Sequence, residues 1–474
     1  MASEIRVNKI NSRTGVGTIT LSPTGVDFTG IATVATLKAT TGIVTTLTAT
    51  TGIVTTLTAD TSRTTTGIVT TLTADTAKVG AAVTISESGM EVTGVTTVTS
   101  SINIGSATTI SSSSLEVNGV QYPTTGALSN RNLVQNGAMI VSQRSTSESS
   151  LTSGNNYILD RWRTYIQNIG TYTISQASDA PTGFKYSYKI QCTTADASPA
   201  AADDMSFYCA YEGQDLQQLK KGTSSAESLT LSFWIKSNKT ATGQVNIRDQ
   251  DNSRLISSTY TVSASGTWEY KTITFPGDTS GALDSDNAAS ISIQWYLDSG
   301  SNFSSGSMNS TWGTDSTDKR NVNNFGLASS TDNYWQITGI QLEVGEKATP
   351  FEHRSYGDEL RRCQRYYYRH ADRGSDEGRS VGNFGLYQST RVFGAIHFPV
   401  TMRSTPSLDA TDSSGSFKMF ANGTNQTFAG WAGIQETGIN SCVLESDATL
   451  SLTAAAAGWV RCEGSAYVAF NAEI

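Results

Sequence analysis

Between residues 186 and 344 apolar and polar side chains alternate with a period of two. The runs are YSYKIQC (186–192), SLTLSFWIKS (228–237), QVNIRD (244–249), TWEYKTITF (267–275), SISIQWYLD (290–298) and YWQITGIQLEV (334–344). In the second run Leu229, Leu231, Phe233 and Ile235 fall on one face; in the fifth Ile291, Ile293, Trp295 and Leu297 do the same. Alternation of this kind marks strands with one buried face. Many such strands at near-regular spacing predict an antiparallel β-sandwich or jelly roll over residues 131–350. The period changes in GDELRRCQRYYYRH (357–370), where Leu360, Cys363 and Tyr367 recur at spacings of three and four. Asp358 and Glu359 at its start and Arg365 and Arg369 toward its end suit the helix dipole, so a short linking helix is expected there. Period two returns in LYQSTRVFGAIHFPV, VLESDATLSL and AYVAFNAEI, which predict a smaller β-sandwich over residues 371–474.

The N-terminal part has another pattern. TGIVTTLTAT begins at Thr41, TGIVTTLTAD follows, and the latter recurs from Thr66, with looser copies from Thr29 and Thr93. Thr and Val are β-branched and favour extended backbone. One unit carries only Ile43, Val44 and Leu47 as apolar residues. Those are too few to offset an ordering cost of roughly 1–2 kcal/mol per residue in a single chain. Identical chains wound together would bury the repeats against their copies, so residues 31–125 are expected to form a repetitive β stalk, with a Thr-rich flexible linker as the alternative. Short hairpins are expected over 81–122, as in SLEVNGVQY, and residues 1–30 form a separate N-terminal segment. The whole chain is thus expected to be all-β, with stalk, central jelly roll, short helix and distal β domain in that order.

Composition narrows the function. Only 37% of residues are hydrophobic and 16% charged, with a net charge of −8. An acidic chain without a basic stripe argues against a nucleic-acid partner. MASEIRVNKI lacks the apolar core of a secretion signal, and no apolar run reaches the roughly 18 residues needed to cross a bilayer, so synthesis in a cytoplasm without membrane insertion is expected. The five cysteines, Cys192, Cys209, Cys363, Cys442 and Cys462, lack metal-ligand spacing and read as buried thiols, with Cys192–Cys209 or Cys442–Cys462 bridges as alternatives.

Catalytic chemistry finds little to work with. Of the three histidines, His353 is placed at a strand end, His370 at the helix end and His397 in an apolar strand, each in a structural role. The acidic pairs Asp203–Asp204 and Asp284–Asp286 could serve a glycosidase or bind Ca²⁺, but acidic loops are common on β proteins. No period near 20–25 residues signals a parallel β-helix, and no enzyme activity, metal or cofactor is expected. A binding site is the better reading. The segment 298–326 is long and polar and carries Phe303, Trp312 and Phe325. Sugars stack their apolar faces on aromatic rings while polar neighbours take the hydroxyls, so Trp312 and Phe303, with Tyr296 and Trp234, are the candidate glycan contacts. The alternative for Trp312 is that it anchors its own loop; Trp234 and Tyr296 either line a surface or pack beneath a loop.

Several stretches resemble bacteriophage tail-fibre proteins, especially those of marine cyanophages. MASEIRVNKI with NSRTGVGTITLSPTGVDFTGI is similar to the start of many of their structural proteins. NLVQNGAMIVSQRS (132–145) and LDRWRTY (159–165) resemble the opening of a carbohydrate-binding-module-like jelly roll. ITGIQLEVGEKATPFEHRSYGDELRRCQRYYYR (337–369) resembles that domain's exit and helix, and FPVTMRSTPSL (398–408) resembles the distal domain beyond it. The resemblance implies a homotrimer in the virion, attached through its N-terminus to tail or baseplate proteins and binding host cell-surface polysaccharide. Other roles left open are a structural connector or half-fibre without receptor binding, and a glycan-degrading tailspike.

Overall fold

The structure is a computed structural model that describes residues 9–11, 17–22, 25–30, 101–104, 108–111, 115–117, 120–122, 129–372, 379–446, 450, 452 and 454–474. The TGIVTTLTA repeats lie outside the described residues. The chain divides into two compact units, residues 1–93 and 94–474. In the first, β1 (Lys9–Asn11), β2 (Gly17–Ser22) and β3 (Gly25–Gly30) form an antiparallel sheet in that order. The second unit begins with a four-stranded meander of β4 (Ser101–Ile104), β5 (Thr108–Ser111), β6 (Leu115–Val117) and β7 (Val120–Tyr122). Val117 pairs with Val120 in the β6–β7 ladder.

The central domain holds β8 (Ser147–Asn156), β9 (Arg163–Ala177), β10 (Ser187–Thr194), β11 (Asp204–Glu212), β12 (Leu229–Ser237), β13 (Ala241–Asp249), β14 (Arg254–Val262), β15 (Glu269–Phe275), β16 (Ala289–Ser299), β17 (Gly313–Thr314) and β18 (Tyr334–Val344). Hydrogen bonding follows the order β15-β12-β18-β10-β9-β11-β16-β13-β14-β17, with β8 beside β9. Strand β9 turns the corner: residues 171–177 pair with β10, whereas residues 163–167 pair with β11. Between the halves Asn168 (φ 52°) and Gly170 (φ 71°) take left-handed backbone, which breaks the pleat and lets the sheet fold over. The two layers then face each other. Phe233 on β12 lies 5.8 Å from Tyr260 on β14 and 5.5 Å from Trp295 on β16, strands far apart in the hydrogen-bonding order. Around them Trp162, Tyr188, Phe207 and Trp335 complete a buried aromatic core. The period-two runs of the sequence are these strands, with Leu231, Phe233, Ile235, Ile293 and Leu297 all fully buried.

Two of the stretches singled out by sequence clamp each other. The Asn132 side chain accepts from Val134 N and Leu342 N, and the Asn136 amide donates to the carbonyls of Val141 and Asp160. Arg354 donates to the carbonyls of Val134 and Asn132, while Glu359 accepts from Asn136 N at 2.5 Å. Start and exit of the sandwich are thereby locked together by buried polar groups, the arrangement in which loss of one partner is costly.

The linking helix, α2 (Tyr356–Gln364), is shorter than the expected 357–370; a single turn, α1 (Ser301–Ser304), precedes it in the chain. Ser355 caps α2 by accepting from Asp358 N at 3.2 Å. Tyr367, Arg369 and His370 belong instead to β19 (Tyr367–Asp372), which pairs with β28 (Tyr467–Asn471). Consecutive tyrosines favour a pleated surface, and a waiting partner strand outweighs the helical spacing. The remaining distal strands are β20 (Ser380–Gln388), β21 (Arg391–His397), β22 (Ser407–Ala410), β23 (Phe417–Ala421), β24 (Thr424–Phe428), β25 (Gly433–Gln435), β26 (Ser441–Ser446) and β27 (Ala457–Cys462). They form a β19-β28-β22 sheet and a β24-β23-β27-β20-β21-β26-β25 sheet around Phe398, Phe417, Leu444, Val460 and Phe470. All five cysteines are buried thiols.

Charged groups join the distal domain to the sandwich. Arg161, 2% exposed, ion-pairs with Glu473 at 2.6 Å, donates to Ala210 O at 2.5 Å and stacks on Tyr366 at 3.4 Å. Glu212 accepts two bonds from Arg365, at 2.7 and 2.6 Å, and one from the Tyr366 hydroxyl. Burial pushes the Glu212 carboxyl up, but these donors outweigh it and hold it below the usual carboxylate range.

Candidate functional site

The sandwich presents two outer faces, and the sequence candidates are divided between them. Segment 298–326 folds back across the outer face of β16 and β13. Gln244 donates to Lys319 O and Asn246 to Arg320 O, both at 2.8 Å. Asp315 receives Arg248 at 2.8 Å and Arg320 at 2.8 Å. The loop is therefore a cover pinned by polar side chains. Beneath it Tyr296 is 2% exposed, with the Phe303 ring of α1 at 5.8 Å above it. Burial, then the nearby Asp204, push the Tyr296 hydroxyl up to about 12. Asp204 is raised to about 7, by burial first and by Asp203, against the pull of Arg320.

Trp312 sits elsewhere, packed in part against the core, its indole N–H donating to Pro276 O at 2.7 Å. The ammonium of Lys221 lies 5.4 Å from its ring. That ammonium is enclosed by oxygens: Asp249 at 2.5 Å, Asp278 at 3.1 Å, and the carbonyls of Ser280 and Gly281 at 2.9 and 2.8 Å. Arg254 bonds the same Asp278 at 2.6 Å. Trp312 thus anchors its loop beside a buried lysine.

Trp234 lies on the opposite outer face, where aromatic rings follow one another. Its ring is 5.2 Å from that of Tyr270, its partner across the β12–β15 register, and Tyr270 is 44% exposed. Half-buried Trp268 adjoins β15 and donates its indole N–H to Asp179 at 3.2 Å, beside a Lys236–Asp179 ion pair of 2.7 Å. Burial raises the Asp179 carboxyl, but these two donors outweigh it and hold it below the usual range. On the far side of Trp234, Gly339 takes φ 62°, and a Cβ there would come within 2.7 Å of the Phe184 ring and 3.1 Å of the Trp234 ring. Glycine is what allows both rings to lie over the backbone at this bulge. Phe184 continues the line to Phe351 at 4.9 Å and to exposed His353 at 5.3 Å. Exposed Thr272 and Thr274 border the stripe.

The structure thus pairs Tyr296 with Phe303 and leaves Trp312 and Trp234 apart from them and from each other. Sequence reading missed Trp268, Tyr270, Phe184 and Phe351. The first two carried a signal, being aromatic on the polar phase of a strand; Phe184 and Phe351 lie in loops, where no period exists. Of the acidic pairs, Asp203 and Asp204 are buried, while Asp284 and Asp286 are exposed. His353 sits in the segment after β18, and His370 is a strand residue bonded to Tyr368 at 3.0 Å and Val381 O at 2.7 Å. His397 is exposed on β21. Among the described residues no group of three or more His, Cys, Asp or Glu is placed to hold a metal ion.

No protein-family model matches the chain, and no curated protein matches it. Solved structures do. One is the enzymatically active domain of tailspike protein 4 of bacteriophage CBA120, 13% identical over 47% of this chain and 24% of that one, with TM-score 0.25. Another is a family 11 carbohydrate-binding module from Clostridium thermocellum in complex with a β-1,3-1,4-mixed-linked tetrasaccharide, 14% identical over 43% of this chain and 99% of that one, with TM-score 0.23. A third is TmCBM61 in complex with β-1,4-galactotriose, 9% identical over 45% of this chain and 99% of that one, with TM-score 0.23.

Proposed function

We propose that this chain is a bacteriophage tail fibre whose central β-sandwich binds host-surface polysaccharide without cleaving it. The observation that carries the reading is the aromatic stripe Trp268–Tyr270–Trp234–Phe184–Phe351 on an otherwise polar sheet face. A row of rings, Tyr270 exposed and the other four half-buried, bordered by Asp179, Lys236 and threonine hydroxyls matches the alternation of apolar faces and hydroxyl edges along a glycan. Trp234 belongs to this contact surface, whereas Phe303, Tyr296 and Trp312 hold the covering loop in place on the other face. The homotrimer, the attachment of the N-terminus to the tail or baseplate and the place in the virion rest on the N-terminal repeats and on the tail-fibre resemblance.

The test is binding of the full chain to polysaccharide purified from the host surface, for wild type and for Trp234→Ala with Tyr270→Ala. Each lost stacking contact is worth roughly 0.5–1.5 kcal/mol, so the double variant binds about 10- to 100-fold more weakly. Both rings lie outside the core, so the melting temperature stays within a few degrees of wild type. Unchanged binding refutes the stripe as the site. Release of reducing ends from the polysaccharide refutes the non-enzymatic reading, and a monomer mass in native solution refutes the fibre.

A further inference from the structure

The distal domain carries an aromatic trough of its own. On the outer face of the β24-β23-β27-β20-β21-β26-β25 sheet, Phe420 and Trp459 stack almost parallel, with centroids 4.2 Å apart and planes at 8°. Phe393 and Tyr387 form a second pair at 5.9 Å, edge to face. Strand β20 carries Tyr387 and runs between β27 and β21, which carry Trp459 and Phe393. Asn383 is the register partner of Trp459, and Gly385 is the partner of both Ala457 and Phe393. A Cβ built on Gly385 meets nothing within 4 Å, so the floor of the trough at that point is bare backbone, with Ala457 to one side and the exposed amide of Asn383 and ring of Tyr387 along the strand. Trp459 and Phe393 stand two strand spacings apart and two residues out of step along β20, about 12 Å between backbones, which admits a flat saturated ring between aromatic walls. These walls are open: Tyr387 is 67% exposed, Trp459 40% and Phe393 37%.

We propose that this trough is a second carbohydrate-binding site, distinct from the central stripe and taking a pyranose unit of a polysaccharide between Trp459 and Phe393, with Asn383 bonding a hydroxyl. Its surroundings favour a sugar over a second copy of the chain. Ion pairs border the rings: Arg461–Glu463 at 2.6 Å, Lys418–Glu463 at 3.3 Å and Arg391–Glu445 at 2.8 Å. Protein–protein interface centres are depleted in charge, whereas sugar sites combine stacking rings with polar hydrogen-bonding neighbours. Arg461 also lies 4.9 Å over the Phe420 ring, holding the stacked wall upright.

The experiment uses the full chain and a panel of purified O-antigen and capsular polysaccharides. Trp459→Ala, Trp459→Phe and Phe393→Ala are each made in wild type and in the Trp234→Ala, Tyr270→Ala background, and mass and melting temperature are measured alongside. In that background the remaining binding falls about 2- to 13-fold with Trp459→Ala or Phe393→Ala, is largely kept by Trp459→Phe, and the mass does not change. Remaining binding that is indifferent to both alanine variants, or no binding left once the central stripe is altered, overturns the distal site and leaves the central reading intact. Binding that depends on Trp459 but not on Trp234 and Tyr270 does the reverse. A changed oligomeric mass with Trp459→Ala overturns the proposal in favour of contact between copies of the chain.

Discussion

Replacing Glu473 with Gln tests how the distal domain is held to the sandwich. The carboxylate faces two arginines, Arg161 at 2.6 Å and Arg144 at 3.4 Å, and its side chain is 5% exposed. Gln keeps the shape and removes the charge. Arg161 cannot retreat to water, because its guanidinium is enclosed by Ala210 O and the Tyr366 ring. Breaking one side of a buried ion pair costs about 3–5 kcal/mol, much of it the penalty of the charge left behind. Against a total stability of about 5–15 kcal/mol that is a large fraction. At roughly 2 °C per kcal/mol, the lower end of the range for large domains, the melting temperature falls by about 8 °C. Calorimetry should show more than a lower midpoint. Wild-type residues 129–474 unfold together, whereas the variant splits into two transitions with the distal one first. Hydrogen exchange in β28 rises at the same time, since that strand leads directly to Glu473. Replacing the pair together, Arg161→Met with Glu473→Leu, removes both charges and recovers most of the loss. A Glu473→Gln protein that melts within 1–2 °C of wild type in a single transition refutes the reasoning.

Other expectations follow from individual side chains. Asp204 is raised from 3.8 to about 7, so the folded state keeps a proton that the unfolded chain has already released; its stability is complete below about pH 4 and declines as pH rises through 7. Asp204→Asn removes that decline, and melting curves at pH 8 show the variant more stable than wild type by up to about 4 kcal/mol, with little difference at pH 4. Lys221→Ala leaves Asp249, Asp278 and two carbonyls facing an emptied space; the variant melts lower, and Ca²⁺ raises its melting temperature but not that of wild type. Gly339→Ala forces a Cβ to within 2.7 Å of the Phe184 ring at φ 62°; it costs about 1–3 kcal/mol of stability and weakens polysaccharide binding by disturbing the stripe.

The strands of the sandwich were legible because burial writes itself into alternation. Leu229, Leu231, Phe233 and Ile235 announce a core face without any partner being known, and all four are buried. The helix end was not legible, because Tyr367 satisfies helical spacing as well as strand preference, and the decision falls to Asn471, its partner more than a hundred residues away. Aromatic side chains in loops were least legible. Trp312, Phe184 and Phe351 look equivalent in sequence, yet one is tied to Pro276 and the others pack on each other beside Trp234. Nothing local separates them, since the difference is which loop crosses which face. The left-handed backbone of Asn168 and Gly170 is similar: it folds one sheet into two layers, while period-two alternation says nothing of where a strand turns.

The enclosed ammonium of Lys221 has a consequence for the conditions under which this fold persists. Many loop junctions built from carboxylates and carbonyls depend on a dissolved ion, and their stability then rises and falls with the logarithm of its concentration. Here the positive charge is part of the polypeptide, delivered by its own backbone and unable to diffuse away. The junction of Asp249, Asp278 and residues 280–281 is therefore closed from the moment the chain folds, in dilute or chelating surroundings alike. In media of changing ionic content this part of the fold keeps its shape without drawing on them.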